Sequence, residues 1–126
     1  MNDFEKQLFD DILVEKVNLQ RATLNEASIM KQRLFEDIQL KNNKIIIDIS
    51  KCSFIDSAFL GVLVVSLKKI TKTGGIIKLV IADPSVSEGV LNISGVQRVF
   101  EHYTSIEDAL ESFGFYDKGS QFNMRF

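Results

Sequence analysis

Residues 44–75 read KIIIDISKCSFIDSAFLGVLVVSLKKITKTGG, and the division of this stretch between strand and helix decides the fold. Its opening, Lys44–Ile49 (KIIIDI), is an apolar, β-branched run of the kind found in strands covered on both faces. Val62-Leu63-Val64-Val65 alone would also suit a strand. Length decides against it. The run from Ser57 to Lys72 carries Lys68, Lys69 and Lys72 at its end and then Gly74-Gly75, which is how a helix stops.

Outward from this centre, Ile76–Ala82 is the next buried strand and Pro84 punctuates it. A short helix then runs to about Ser94-Gly95, Val99–Tyr103 is a last short strand, and Ile106–Phe113 a final helix stopped by Gly114. On the N-terminal side, Leu24, Ala27, Met30, Leu34 and Ile38 recur at steps of three and four, predicting an amphipathic helix over Leu24–Leu40 with one buried face. Before it, Phe4–Leu8 and Ile12–Val17 flank Phe9-Asp10-Asp11 as a hairpin. The expected fold is α/β: a mixed sheet with an opening hairpin and a parallel centre, and about four helices packed on it. One domain covers residues 1–114. The tail 115–126 (FYDKGSQFNMRF) has no period and reads as partly frayed or folded back.

Three helix starts carry a capping box, in which a hydroxyl and a carboxylate three residues apart serve each other's backbone N–H. These are Thr23 with Glu26, Ser85 with Glu88, and Ser105 with Asp108. The helix at Ser57 differs. Leu60 stands three residues after Ser57 and Phe59 three after Asp56, so neither register supplies a reciprocal carboxylate. Either Ser57 is one more N-cap serine, or Asp56 is the cap and Ser57 sits on the first turn with its hydroxyl spare. In the second case the hydroxyl lies at a positive helix end, beside a carboxylate and the exposed apolar side chain of Ala58 or Phe59. A phosphate there adds about −1.5 to −2 charges, which a helix N-terminus tolerates. It would repel a partner packed on that end. A hundredfold loss of affinity needs only about 2.7 kcal/mol.

Composition excludes much else. The chain has 126 residues with 15 basic and 17 acidic side chains, which argues against direct nucleic-acid binding. One Cys (Cys52) and one His (His102) are too few for a disulfide, a CxxC pair or a four-ligand zinc site. No cofactor motif is present, and Gly74-Gly75 lies after a helix, the reverse of a phosphate-cradling loop. Catalysis through a histidine-assisted nucleophile would rest on His102 alone, so a non-enzyme is expected. The longest apolar stretch, Ala58–Leu67, is broken by Gly61 and Ser66 and falls short of the ~20 residues of a membrane span. No signal peptide pattern opens the chain, and the expected location is cytoplasmic. Asp48, with Asp10-Asp11 as an acidic metal pair, could imitate a response-regulator receiver, but two strands precede the first helix where a receiver has one.

The central stretch resembles a STAS domain, the fold of bacterial anti-sigma factor antagonists. The family's D-[ST]-x-x-L-G turn corresponds to Asp56, Ser57, Leu60 and Gly61, with Gly74-Gly75 before the next strand. VNLQRATLNEASIMKQRL is similar to the segment leading into the family's first helix, and SGVQRVFEHYTSIEDALESF to its closing strand and helix. The resemblance implies a regulator of transcription that is phosphorylated on Ser57 by a GHKL-type serine kinase, itself the anti-sigma factor, and restored by a PP2C-type phosphatase. It places the phosphoacceptor on Ser57 with Asp56 as its neighbour; with the flanking Ala58 and Phe59 these form the expected partner surface, and a monomer or weak dimer is expected. Phe59 stands where many members have glycine, and Thr23 where an acidic residue is frequent. Other STAS domains are unswitched scaffold subunits of signalling or lipid-transport assemblies, which is the alternative role.

Overall fold

The computed structural model describes residues 2–82 and 99–116. Strands β1 (Phe4–Phe9) and β2 (Ile12–Val17) form the opening hairpin, paired antiparallel from Phe4 with Val17 to Phe9 with Ile12. Its turn is the pair Asp10-Asp11, where Asp10 takes a φ of 55°. A two-residue hairpin needs this left-handed backbone, and aspartate tolerates it better than most residues. The chain continues through β3 (Arg21–Ala22), helix α1 (Leu24–Gln39), β4 (Lys44–Asp48), β5 (Phe54–Ile55), α2 (Ser57–Thr71), β6 (Ile76–Val80), β7 (Glu101–Tyr103) and α3 (Ile106–Ser112).

The main sheet has the order β1-β2-β4-β6-β7, antiparallel at β1–β2 and parallel elsewhere. Its two faces explain the unbroken apolar run of β4. Ile45 and Ile47 join the cluster beneath α1 and α2, whereas Ile46 joins Ile12, Val14, Ala109 and Leu110 beneath α3. A strand with both sides covered has no polar position to alternate with.

The described residues hold three helices, not the four expected. The fourth, over 85–94 with its Ser85 cap, falls outside the described residues, as does the tail beyond 116. The last strand starts at Glu101 rather than Val99. Phe115 folds back, its ring edge-on to Phe9 with centroids 5.6 Å apart. The glycine pair acts as expected after α2. Gly74 has φ 84°, and a Cβ on Gly75 would come within 2.8 Å of the Asn43 carbonyl oxygen and closer still to Ile70. No helix among the described residues is long and apolar enough to cross a membrane.

One element carries no sequence signal. The two-residue strands β3 and β5 pair in parallel, Arg21 with Phe54 and Ala22 with Ile55, apart from the main sheet. This ribbon places the starts of α1 and α2 side by side.

Candidate functional site at the paired helix starts

Each helix start presents N–H groups without intrahelical partners. At α1, Thr23 and Glu26 form the expected box, the Thr23 amide donating to Glu26 Oε1 at 2.9 Å. At α2 the N-cap is Asp56, whose Oδ1 accepts from the Phe59 amide at 2.9 Å. Its other oxygen, Oδ2, accepts from the Leu24 amide at 2.8 Å, the first residue of α1. One carboxylate therefore closes both helix starts. The Asp56 amide is held in turn by the Ala22 carbonyl at 3.1 Å.

Of the two registers open at α2, the structure adopts the one with Asp56 as cap. Ser57 is the first residue of the helix, exposed, and its hydroxyl has no hydrogen bond among the described residues. Other serine hydroxyls are engaged: Ser53 Oγ donates to the Gln20 carbonyl, and at the start of α3 Ser105 Oγ accepts from the Asp108 amide. The sequence places Ser57 and Asp56 together, and the fold keeps them so with separate tasks.

Phe59 is a correction. It is 0% exposed and begins the inward row Phe59, Leu63, Ser66, Ile70 of α2, so its side chain offers nothing to a partner. Ala58 is half-buried against the same core. The exposed apolar side chains here are instead Leu24, 70% exposed, and Phe54, 40% exposed, with the Arg21 guanidinium 4.3 Å over the Phe54 ring. Leu24 was expected on the buried stripe of α1. As the first helical residue it lies at the flank of that stripe, outside the cover of α2.

The remaining candidates separate. Asp48 closes the end of β4 by accepting from the Ser50 amide at 2.9 Å. Asp11 pairs with Lys44 at the opposite end of β4, so no receiver-like acidic cluster forms. His102 is exposed, its Nδ1 3.3 Å from the Phe100 carbonyl oxygen. The Cys52 thiol is buried, and burial, aided by Asp48, pushes its pKa up to about 12. It is a packing residue.

Known proteins share this fold. The STAS domain family model matches residues 6–109. A Thermotoga maritima protein designated an anti-sigma factor antagonist is 32% identical over 109 residues, covering 86% of this chain and 95% of that protein. A crystal structure of a Thermotoga maritima protein so designated superposes with a TM-score of 0.75 at 28% identity, over 89% of this chain and 95% of the other. Bacillus SpoIIAA, solved in its phosphorylated form, shares the fold with a TM-score of 0.66 at 16% identity, over 87% and 98% of the two chains.

Proposed function

The chain belongs to the STAS domain family, and from that premise we propose that it is an anti-sigma factor antagonist working by partner switching. Unphosphorylated, it binds an anti-sigma factor that is also a GHKL-type serine kinase. Phosphorylation of Ser57 releases that partner, and a PP2C-type phosphatase restores the binding form. The protein acts as a regulator rather than an enzyme, as a monomer or weak dimer.

The observation that carries this reading is the division of labour between Asp56 and Ser57. With Asp56 serving the amides of Leu24 and Phe59, the Ser57 hydroxyl has no structural task among the described residues and faces solvent. Modification there breaks no cap. The phosphate would sit at the positive end of a fifteen-residue helix, so the domain tolerates it. A partner covering Leu24, Phe54 and Ser57 would meet a dianion beside the Asp56 carboxylate in a site it has dried, where like charges cost most. The relatives named for this role, and the phosphorylated form known for SpoIIAA, support the reading.

Incubation with the cognate kinase and ATP, read by intact mass and fragment mapping, is the test. One phosphate on Ser57, abolished by Ser57→Ala, is expected. Binding of the partner with no phosphate transfer would favour the unswitched scaffold role instead.

A further inference from the structure

The exposed face of α2 includes Ser57, Val65, Lys68 and Lys69, followed by the C-cap Lys72, with half-buried Gly61 one turn after Ser57 and Lys69 reaching toward α1. The two helices run side by side in the same direction, joined at their starts by Asp56 and Leu24 and further along by Lys69 over Phe35. Two features of this face have no internal explanation. A Cβ on Gly61 would meet nothing within 4 Å, so no packing requires a glycine that weakens the helix there. Val65, 48% exposed, leaves an apolar side chain in solvent next to it.

The charges at the far end are segregated. Lys31, Lys68, Lys69 and Lys72 are all exposed, and none pairs with a carboxylate among the described residues; Arg21, Lys41 and Lys51 share that state, so what distinguishes these four is that they cluster at one end of the helix pair. Helix α2 has no acidic residue, in a chain of net charge −2. Lys31 and Lys69, from different helices, stand 5.4 and 4.9 Å over the one Phe35 ring, which fixes both ammonium groups in a common patch.

We propose that this face extends the docking surface of Ser57, and that it takes an acidic strip of the anti-sigma partner. Carboxylates meet Lys31, Lys68, Lys69 and Lys72, and apolar side chains cover Gly61 and Val65. The inference rests on the reading of Ser57 as the switch. Continuity with Ser57 along one helix, and the uncharged middle between hydroxyl and lysines, favour a protein over a lipid surface. A membrane would want the aromatic ring as a wedge, and here it lies beneath two ammonium groups. At 1.5 Å per residue, Lys68 is about 16 Å from Ser57, beyond the screening length of about 8 Å at physiological salt. The lysines therefore set encounter rate and register, and the phosphate acts independently of them.

The test titrates the full-length unphosphorylated chain against its purified cognate anti-sigma factor at low and physiological salt. Changing Lys68→Glu, Lys69→Glu and Lys72→Glu together is expected to raise Kd at least tenfold, mainly through slower association, with a flatter salt dependence. The corresponding glutamine variant should fall between, and both should stay folded, the glutamate variant with a somewhat lower unfolding midpoint because Lys68 and Lys69 complement the dipole at the end of α2. An unchanged Kd, within twofold, would overturn the inference. So would loss of binding to anionic phospholipid vesicles with partner affinity intact, which would assign the patch to a membrane. Failure of the wild-type chain to bind would instead overturn the switch reading itself.

Discussion

The Asp56 carboxylate and the Leu24 amide meet at 2.8 Å across thirty-two residues of sequence, joining two helices that a two-residue ribbon sets side by side. Because the second oxygen of Asp56 holds the Phe59 amide, a single side chain stabilises both helix starts.

Asp56→Ala should therefore cost more than an ordinary cap. One cap contributes about 0.5–2 kcal/mol, so the loss of two is expected at about 1–4 kcal/mol in urea unfolding. Asp56→Asn has one acceptor oxygen for two amides and should lose about half as much. Equal stability of Asp56→Ala and wild type would refute the shared cap.

Ser57→Ala should leave stability within about 0.5 kcal/mol of wild type, because no hydrogen bond to its hydroxyl exists among the described residues. Thr23→Ala, which breaks a working capping box, should cost about 1 kcal/mol under the same conditions. Ser57→Asp should unfold close to wild type and yet bind the partner less tightly. A thermal midpoint far below wild type for either Ser57 variant would mean that the hydroxyl is structural.

Phe59→Ala should destabilise by about 3–5 kcal/mol, as truncation of a fully buried phenylalanine does. Any loss of partner binding should then follow the unfolded fraction. Leu24→Ala and Phe54→Ala should behave oppositely, weakening partner binding with little change in the unfolding midpoint.

A buried charge cluster sets a pH dependence. Glu15 on β2 is fully buried, its Oε1 held by Arg33 Nε and a terminal guanidinium nitrogen at 3.0 and 2.8 Å. Asp37 on α1 is equally buried and lies 2.6 Å from Lys6 of β1, with Glu36 also near that ammonium group. Glu15 Oε2 and Asp37 Oδ2 have no hydrogen-bond partner among the described residues, although the Lys6 ammonium lies 3.8 Å from Glu15 Oε2. Burial, with the Asp37 carboxylate beside it and Arg33 in opposition, raises the Glu15 pKa from 4.5 to about 8. The folded state thus holds a proton that the unfolded chain releases, so this contribution is complete below about pH 4.5 and lost as pH rises through about 8. Urea midpoints across pH 5–9 should decline from this cause, and Glu15→Gln should flatten the decline. An unchanged slope in that variant would place the titration elsewhere.

Much of this was legible from residue pattern. The β-branched run of β4, the hairpin strands, the glycine stop of α2 and the unusual start at Ser57 each follow from local chemistry. The ribbon of β3 and β5 was not, since two residues have no period and their pairing is set by tertiary contact. The orientation of Phe59 was missed for a related reason. Helix α2 is apolar on most of its circumference, so the inward row from Phe59 to Ile70 does not stand out from the half-buried positions around it. The double role of Asp56 required knowing that Leu24 lies beside it, which only the folded chain supplies.

On the proposed mechanism, a phosphate on Ser57 controls the partner without disturbing the domain. The most direct measurement compares the affinity of the purified anti-sigma factor for the unphosphorylated chain and for the chain stoichiometrically phosphorylated on Ser57, with unfolding curves for both. The phosphorylated chain is expected to bind at least a hundredfold more weakly, with superimposable unfolding curves. Equal affinities, or a phosphorylated chain that has lost its folded state, would contradict the mechanism.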